Sequence, residues 1–436
     1  MSWRIIEMGN FLVSRDLRFK PKDPEIKGLK RIEKIDFSGN IFISEKPSNT
    51  DMILIKKGDL VISGINVEKG AMAVYQGEED ITATIHYSAY EFDETKIDLG
   101  YLTNFLRSKK FTDALKEQVP GGIKTEIKPK HILPLEVEIP TDIEDQKRII
   151  RDFESRNNKV KVVSSENIHQ LNLLKKLRQQ ILQDAVQGKL VNQDSNDEPA
   201  SVLLERIKAE KEQLIKEKKI KKDKPLPEIK PNEIPYEIPE NWVWCRLGEI
   251  SSVVRGGSPR PAGDKRFYDG DIPFLKVADL TADDNIYLNS HTYTIKEAGL
   301  HKTRYVDSKT LMLTNSGATL GVPKICMFPT TFNDGIAAFL GINNMDMEFI
   351  YYFLKSKTGW YLKEASRGQG QPNLNTDIIS MTPFALPPFR EQNLIVRKIE
   401  QLMTLCDELE QSIQQNQKYT QELVQVALKE ALERKT

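Results

Sequence analysis

The chain has 436 residues, enough for about two or three domains, since single domains usually contain roughly 100 to 200 residues. Hydrophobic residues make up 39% and charged residues 29%, which is typical of a globular protein with long, charge-rich helices. Its 63 basic and 63 acidic side chains cancel, which excludes a protein that coats nucleic acid through bulk charge. Any contact with DNA must therefore come from local patches or from partner subunits.

Targeting and metal-binding signals are absent from the sequence. The first residues, MSWRIIEMGNF, lack the apolar core of a signal peptide, and no window reaches the roughly 18 apolar residues of a membrane span. We therefore expect a cytoplasmic protein without a membrane partner. Cys245, Cys326 and Cys406 lie too far apart for a disulfide framework or a zinc site. The histidines also lack ligand spacing, so we predict no metal site; they are His86, His131, His169, His291 and His301.

The first globular part is predicted at residues 1–140. Within it, the stretch DMILIKKGDLVISGI alternates apolar and polar residues and is interrupted by glycine, which predicts short strands joined by tight turns. A long helix follows at residues 141–190, because Pro140 ends the globular part and Gly188 is a natural helix stop. An apolar stripe is predicted along this helix at Ile168, Leu171, Leu174, Leu177, Ile181 and Ala185.

Residues 191–240 are predicted to form a charged helix followed by a proline-rich connector. The helix ends in KEKKIKKDK, which is either a contact for DNA or a partner, or a solvated helix end; the sequence favours the solvated end. The next stretch, PLPEIKPNEIPYEIP, is typical of an extended, semi-rigid connector.

The second globular part, residues 241–388, repeats the first in order. WRIIEMGNF aligns with WVWCRLGEI, DLVISGINVEKG with TLMLTNSGATLG, and FLRSKKF with FLKSKTG. These matches place Gly70 against Gly321, and Gln146 against Gln392. Because several short matches occur in the same order, they indicate a duplicated architecture.

A second long helix is predicted at residues 389–436. Pro387 and Pro388 cannot lie inside a helix, so they end the globular part, and Glu391 falls in the first helical turn. A heptad seam is predicted at Ile395, Ile399, Leu402, Cys406, Leu409, Ile413, Asn416, Thr420, Leu423 and Ala427.

The predicted fold is α+β: two similar mixed α/β domains separated by two long antiparallel coiled-coil helices, with a pseudo-two-fold internal repeat. Each helix of about forty residues would extend roughly 60 Å. Two separated domains of this kind suit DNA, whose groove returns to the same side every 34 to 36 Å or so. Two unlike domains would recognise an asymmetric, bipartite target with an unread gap.

An enzymatic function is not supported by the motifs. LPPF resembles the loop with which adenine methyltransferases hold a flipped base, but Leu386 occupies the position that requires an Asn or Asp acceptor. Neither a dinucleotide-binding glycine motif nor an ATP-binding phosphate loop is present. We therefore predict no catalytic residues and no cofactor site in this chain.

The candidate DNA contacts lie in polar loops. VVRGGSPRPAGDKRFY supplies cations around glycines, and SRGQGQPNLN supplies an arginine and amides that can pair with adenine. A mobile polar loop explains both stretches equally well on sequence alone. In the first half, lysines at aligned positions are either phosphate contacts or ordinary surface residues. The predicted DNA-binding residues are Lys69, Lys124, Lys128, Lys130, Arg255, Arg260, Lys265, Arg266, Arg367, Gln369, Gln371 and Asn373.

Several of these stretches together resemble the specificity subunits of Type I restriction-modification systems. The similar stretches are GKLVNQDSNDEPASVLLERIKAEKE, EIPYEIPENWVWCRLGEI, RGQGQPNLNTDI and LPPFREQNLIVRKIEQLM. The first half departs from the pattern, because PGGIKTEIKPKHI lacks the Gln and Asn residues of GQGQPNLN. This departure makes the contacts assigned to the first half less specific.

The resemblance implies two target-recognition domains, each reading one half of a split target in double-stranded DNA. It also implies that the helices bind two modification subunits, to which two restriction subunits attach; exposed apolar positions between Leu423 and Leu428 are candidates for this contact. Adenine methylation with S-adenosylmethionine and cleavage with ATP and Mg²⁺ would belong to those partners. The alternative is a coiled-coil scaffold without sequence-specific DNA binding, for which we expect globular parts without basic loops.

Overall fold

The computed structural model describes residues 1–119, 126–365 and 373–432, and its contacts divide the chain into two units. Unit 1 comprises residues 1–170 together with the C-terminal residues from Ser412, and unit 2 comprises Leu171–Gln411. Each unit therefore contains one globular part and a portion of both long helices. None of the described helices combines the length and the apolar character needed to cross a membrane.

The described residues of unit 1 form three sheets with helices packed beside them. The strands are β1 (Trp3–Glu7), β2 (Leu12–Ser14), β3 (Arg18–Phe19), β4 (Arg31–Ile35), β5 (Ile41–Ser44), β6 (Met52–Ile55), β7 (Leu60–Ser63), β8 (Met72–Val74), β9 (Ile81–Thr84), β10 (Tyr87–Phe92) and β11 (Glu136–Pro140). The strand orders are β1-β11, β2-β10-β7-β8 and β3-β6-β9-β4-β5. The helices are α1 (Leu99–Leu106), α2 (Lys109–Gln118), α3 (Pro129–Ile132) and α4 (Ile143–Val186).

Unit 2 has the same kind of architecture. Its strands are β12 (Val243–Arg246), β13 (Ser252–Arg255), β14 (Tyr268–Leu275), β15 (Tyr287–Leu288), β16 (Thr294–Ile295), β17 (Arg304–Val306), β18 (Thr310–Thr314), β19 (Pro323–Cys326), β20 (Thr330–Phe332), β21 (Ile336–Leu340) and β22 (Pro383–Leu386). They pair in the orders β12-β22, β13-β21-β18-β19-β15 and β16-β14-β20-β17. The helices are α5 (Ala200–Lys216), α6 (Leu247–Ile250), α7 (Val277–Leu280), α8 (Met347–Ala365), α9 (Thr376–Met381) and α10 (Phe389–Leu432).

Equivalent strands in the two units form the same kind of buried core. All four residues of β7 and all five residues of β18 are buried. Each strand leads into a turn that ends at a glycine with φ of 82°, Gly70 in unit 1 and Gly321 in unit 2. Because glycine adopts positive φ without the steric cost of a side chain, both turns need it at this position. The predicted strand-and-turn pattern is therefore confirmed in both halves.

The duplication extends to individual backbone hydrogen bonds. In unit 1 the N–H of Ile127 donates to the carbonyl of Gly64 at 2.9 Å. In unit 2 the N–H of Leu374 donates to the carbonyl of Asn315 at 2.7 Å. Gly64 and Asn315 each follow the buried strand by one or two residues, so they occupy equivalent positions. The internal repeat predicted from the sequence is thus present in the main-chain geometry.

A buried glutamine fixes the junction between each globular part and its long helix. The Gln146 side chain donates to the carbonyl of Pro140 at 3.0 Å and accepts from the N–H of Asp98 at 2.8 Å. The Gln392 side chain donates to the carbonyl of Pro387 at 3.0 Å and accepts from the N–H of Asp346 at 2.9 Å. Both glutamines are fully buried. Each one satisfies main-chain groups that water cannot reach, which explains why the same junction occurs twice.

The second junction also buries a carboxylate. Glu391 lies in the first turn of α10, as predicted, and is 2% exposed. Its carboxylate accepts hydrogen bonds from the indole N–H of Trp242 at 2.9 Å and from the Gln193 amide at 2.6 Å. Burial raises the pKa of Glu391. The side chain therefore connects the start of α10 to Gln193, which precedes α5, and to Trp242, which follows it. This structural role adds to the interaction with the helix dipole that the sequence indicates.

The two long helices have 44 residues each and run antiparallel. In unit 1 the guanidinium of Arg156 on α4 lies 3.8 Å from the carboxylate of Glu430 on α10. In unit 2 Arg178 of α4 donates to Asp407 and Glu410 of α10. Residue numbers therefore rise on one helix as they fall on the other, and the predicted antiparallel pair is confirmed.

The predicted apolar stripe along the helices is wrong at several positions. On α10, Ile399, Cys406 and Ile413 are buried as predicted, but Leu409 and Leu423 are 53% and 58% exposed. Asn416 is exposed as well. At each of these three positions the next residue is partly buried instead. These residues are Glu410, Gln417 and Val424. On α4, Leu174, Ile181 and Ala185 are buried, whereas Ile168 and Leu177 are 57% and 46% exposed.

Most of these errors share a physical cause, although at Leu423 the neighbouring inward residue, Val424, is itself apolar. The inward-facing positions carry partly buried polar groups, such as Arg178 and Glu410 in unit 2, which form hydrogen-bonded ion pairs. A search for apolar residues passes over such positions and selects the neighbouring leucines. Paired polar groups are tolerated in a helix contact when their hydrogen bonds are satisfied.

The proline-rich connector is held on unit 2 by a buried arginine. The Arg246 guanidinium donates to the carbonyls of Pro227, Glu228 and Met381 at 3.1, 3.0 and 2.6 Å. It also makes two parallel bonds of 2.9 Å to the Glu233 carboxylate. Five bonds match the five N–H donors of a guanidinium, so the side chain can be buried at 1% exposure. The connector is therefore fastened to the globular part through its main chain.

We expect the two junction glutamines to contribute equally to stability. Replacing Gln146 or Gln392 with Met leaves one buried N–H and one buried carbonyl without partners, which should lower the free energy of unfolding by about 2 kcal/mol or more in each variant. Urea unfolding of both variants measures this loss. The control is Gln411→Met at an exposed position, which should change the free energy of unfolding by under about 0.5 kcal/mol. A large loss in only one of the two variants would contradict the equivalence of the junctions.

The ion pair between Glu233 and Arg246 predicts acid sensitivity. The Arg246 bonds lower the pKa of Glu233 from 4.5 to about 2. Because the folded-state pKa lies below the unfolded one, this contribution is complete above about pH 4.5 and is lost as the pH falls towards 2. Unfolding curves between pH 6 and 2.5 or so should show a smaller loss of stability on acidification for Glu233→Gln than for the unchanged chain. Identical pH profiles would show that the pair does not depend on the carboxylate charge.

Candidate nucleic-acid interface

The loop after β13 packs tightly against the main chain of its neighbours. The N–H of Gly256 donates to Ile336 and that of Gly257 to Phe332, at 3.0 and 3.1 Å. A side-chain carbon at Gly256 would lie 2.2 Å from the Asn333 carbonyl oxygen, and one at Gly257 would lie 2.4 Å from the Lys302 carbonyl oxygen. Glycine is therefore needed here for close contact within the protein, and this contact fixes the position of the loop.

The four cations predicted in this loop are all exposed, and they differ in their partners. Arg255 donates to the carbonyl of Asp334 at 2.6 Å. Arg266 makes three hydrogen bonds to the Asp264 carboxylate, the shortest of 2.6 Å, and these bonds lower the pKa of Asp264. Arg260 and Lys265 have no ion pair among residues 1–119, 126–365 and 373–432. Part of the predicted charge is thus already neutralised.

Three further cations, which the sequence analysis missed, converge on the same loop. Lys296 donates to the carbonyl of Lys265 at 2.8 Å, and Arg304 donates to the carbonyl of Arg255 at 2.7 Å. The Lys302 ammonium lies 5.7 Å from the centre of the Phe267 ring, which the guanidinium of Arg266 also approaches at 5.4 Å. All three are exposed.

We call this set the basic surface of unit 2. It consists of Arg255, Arg260, Lys265, Arg266, Lys296, Lys302 and Arg304. The stretch IKEAGLHKTRY carries a visible basic signal, but nothing in its spacing indicates that it lies beside residues 255–267. That proximity depends on the position of β17 next to β20 in the sheet.

The amide-rich stretch is only partly visible. Arg367, Gln369 and Gln371 lie outside the described residues, and Asn373 is exposed and paired in an isolated bridge with Ser316. The neighbouring Asn315 is fully buried, and neither atom of its side-chain amide has a hydrogen-bond partner among residues 1–119, 126–365 and 373–432.

A short turn connects this region to the basic surface. The carbonyl of Gly335 accepts from the N–H of Asn315 at 2.9 Å. The adjacent Asp334 accepts from Ser258 at 2.6 Å and, through its carbonyl, from Arg255. The turn at residues 333–335 therefore contacts both the basic loop and Asn315, whose carbonyl accepts from the N–H of Leu374.

The predicted residues of unit 1 form a weaker group. Lys69 is exposed, with its ammonium 5.5 Å from the Phe37 ring centre, and it lines a cavity of about 1320 Å³. Lys128 pairs with Glu126 at 3.2 Å, whereas Lys130 is exposed without an ion pair among the described residues. Lys124 lies outside the described residues. The Gly64–Ile127 hydrogen bond joins the loop of Lys69 to the segment of Lys128.

No cluster of His, Cys, Asp or Glu side chains suitable for a metal ion occurs in the part of the chain that the structure describes. The three cysteines are buried, and burial raises the pKa of each thiol. The exposed arginines and lysines of the basic surface are groups that suit binding to phosphates and base edges.

The fold is similar to that of two solved chains. The fold matches, over 99% of this chain and 97% of the other, a chain solved in work on complex assembly and conformational transition of the type I R-M system, with a TM-score of 0.60 and 16% identity. It also matches the HsdS subunit from Thermoanaerobacter tengcongensis over 99% of this chain and 96% of that one, with a TM-score of 0.51 and 16% identity. The chain therefore shares its fold with these two solved chains.

The sequence comparisons match part of the chain to one family. Residues 239–418 match the model of the Type I restriction modification DNA specificity domain. The chain is 35% identical to the Type I restriction enzyme EcoEI specificity subunit of Escherichia coli over 55% of its length and 42% of that protein. It is likewise 35% identical to the EcoAI specificity subunit of Escherichia coli, over 53% of its length and 40% of that protein. Part of the chain is therefore similar to Type I specificity subunits, in line with the resemblance, and it spans about two fifths of the length of the curated relatives that it matches.

We expect the glycines of the basic loop to be structurally essential. Gly256→Ala and Gly257→Ala should each lower the free energy of unfolding by about 1 to 3 kcal/mol, because the added carbon overlaps a main-chain oxygen. Gly359→Ala is the matched control: this exposed helical glycine has open space around it, so alanine should stabilise by up to about 1 kcal/mol. Thermal unfolding of the three variants checks the prediction, which fails if all three behave alike.

Proposed function

We propose that this chain is the DNA sequence-specificity subunit of a Type I restriction-modification complex. In this function each globular part reads one half of an asymmetric, bipartite target, and the long helices set the gap between the halves. The observation that carries the proposal is the location of the basic surface: all seven cations lie within residues 239–418, the part that matches the DNA specificity domain. Exposed arginines and lysines on a fixed loop are suited to phosphates and guanine edges.

The asymmetry of the target follows from differences at equivalent positions. Gly64 and Asn315 have the same main-chain hydrogen bonds, but only Asn315 has a side chain. The basic loop after β13 likewise differs from the segment after β2, the equivalent strand of unit 1, where Arg15 and Arg18 pair with Asp59 and Asp16. Two parts with one backbone plan and different side chains would read two different half-sites.

Catalysis is assigned to partner subunits. In this proposal modification subunits transfer the methyl group of S-adenosylmethionine to adenine, and restriction subunits use ATP and Mg²⁺ to cleave DNA. The LPPF stretch of this chain has a structural use instead: Leu386 is fully buried in β22, and the carbonyl of Pro387 accepts from Gln392. A buried leucine in a paired strand cannot hold a flipped base, so this chain would be a non-catalytic subunit without a cofactor of its own.

Exposed apolar residues on the long helices support binding of the two modification subunits. Leu423 and Val426 are 58% and 51% exposed. The candidate range, 423–428, is wrong at its C-terminal end, because Leu428 is buried in the core of unit 1. Leu405 and Leu409 on α10 are also more than half exposed. Single exposed leucines are common, but several on one helix are typical of a protein interface.

Two restriction subunits would join the complex through the modification subunits. The assembled complex would act in the cytoplasm.

Methylation mapping tests the proposal. Cells expressing this chain with its modification subunits should methylate adenine in both halves of one bipartite motif, and cells lacking the chain should not. Exchanging residues 1–140 for those of a related chain should change one half of the motif only.

The double variant Lys302→Gln with Arg304→Gln should reduce the methylated fraction without changing the motif. Exposed Lys22→Gln should leave the methylated fraction unchanged. Two results would contradict the proposal that each globular part reads one half of the target: unaltered methylation in cells lacking the chain, or a continuous motif. Either result would favour a coiled-coil scaffold without sequence-specific DNA binding.

A further inference from the structure

The end of α5 carries an exposed run of charge that the proposed function does not use. Lys216 to Lys224 contains six lysines in nine residues, interrupted by Glu217, Ile220 and Asp223. All six lysines are exposed. We call this segment the lysine turn. It lies in unit 2, outside the loops with the predicted base contacts.

The backbone of the lysine turn is held in one conformation. The N–H of Lys218 donates to Ile215 at 3.0 Å, and that of Lys219 donates to Leu214 at 2.9 Å. These two bonds form a helix C-cap that normally has glycine at its left-handed position, yet Lys218 occupies it with φ of 57°. A left-handed lysine is uncommon and costs conformational energy.

Two side chains fasten the turn to the globular part. Ile220 is 8% exposed and packs beside Gly341. Asp223 accepts a hydrogen bond from Ser252 at 3.1 Å and pairs with Lys211 at 2.9 Å. The cationic side chains between these anchors are therefore presented from a fixed surface, which lowers the entropy cost of binding an anion.

The acids of the segment do not neutralise its lysines fully. Glu217 pairs with Lys219 at 2.8 Å, and Asp223 pairs with Lys211, which lies outside the segment. In the described parts of the chain, no ion pair involves Lys216, Lys218, Lys221, Lys222 or Lys224. Five like charges in close sequence repel one another unless an anionic partner is present.

The lysine turn lies close to the basic surface. Ser252, which bonds Asp223, is the first residue of β13, and Arg255 of the basic surface is the last. Three residue steps along a strand correspond to about 10 Å, or roughly three base pairs of duplex. Phosphates next to those that meet Arg255 are therefore within reach of the lysine turn.

We propose that the lysine turn binds the phosphate backbone of duplex DNA beside the target, independently of base sequence. The inference rests on the proposed function, because duplex DNA is the ligand in both. Lysine is a flexible point charge suited to phosphate, and no amide or arginine that would discriminate bases occurs in the segment. The lysine turn would therefore contribute affinity, and the loops would contribute specificity.

The salt dependence of binding tests this inference. The variant Lys218→Gly, Lys221→Gln, Lys222→Gln removes three charges and retains Ile220 and Asp223. Binding to a mixed-sequence duplex of about 40 base pairs is measured between 50 and 200 mM salt or so, for the full chain alone and with its modification subunits. The slope of log affinity against log salt should decrease by about 0.9 for each lost contact, and affinity should fall roughly tenfold.

The control variant retains charge at two of these positions. Lys221→Arg with Lys222→Arg should bind like the unchanged chain. Thermal stability of the charge-removing variant should be equal or higher, because glycine suits the left-handed position. The methylated motif should be the same in all variants.

The outcomes separate this inference from the proposed function. If the unchanged chain binds the duplex and the charge-removing variant has the same salt slope, the inference is wrong and the proposed function is unaffected. If the variant instead loses its modification subunits at an unchanged slope, the turn binds an acidic protein surface, which also overturns the inference. If no chain-dependent methylation motif exists but the salt slope still decreases in the variant, the proposed function fails and the phosphate contact remains.

Discussion

The structure depends on satisfying main-chain groups where a sheet gives way to a long helix. At each junction the chain leaves the last strand at a proline, which interrupts the regular main-chain pairing. A buried glutamine amide then donates to one carbonyl and accepts from one N–H, so that no polar group is left unpaired. An amide has both a donor and an acceptor, which a carboxylate or an aliphatic side chain lacks. The start of each long helix is thereby fixed against its globular part.

The two halves share this framework and differ in how the framework is fastened. The first junction has the surface ion pair of Asp145 and Arg148, at 2.8 Å. The second buries Glu391 against Trp242, and it adds Arg246, which holds the proline-rich connector by its carbonyls. The extra contacts fold the segment between the halves onto unit 2. The connector, the basic surface and the lysine turn therefore all belong to unit 2.

The basic surface of unit 2 offers binding chemistry. Its exposed cations lie on loops and strand ends that β-pairing and close-packed glycines hold in place. In the proposed function such a surface would position a polyanion and distinguish base edges. The long helices provide exposed leucines on the same chain. In the proposed function, binding of DNA and binding of protein would involve different parts of one backbone plan.

Local patterns account for much of the fold. Short strands, glycine turns and prolines before long helices leave strong signals, because each depends on a few neighbouring residues. The repeat was equally visible, since its matches keep their order. The helix contact was predicted less well: Leu409 and Leu423 look like core residues, but Glu410 and Val424 are the ones turned inward. Apolar periodicity cannot detect an inward position that is filled by a paired charge.

The sequence by itself determined the duplicated architecture, the resemblance and the loop that carries Arg255, Arg260, Lys265 and Arg266. Tertiary structure alone decided that Lys296, Lys302 and Arg304 join this loop, because β16 lies beside β14 and β17 beside β20, and the pairing of distant strands leaves no local signal. It also decided that the lysines after α5 form a fixed turn, since their anchors, Gly341 and Ser252, are remote in sequence. Local residue patterns specify elements, whereas the meeting of distant side chains depends on how those elements pack.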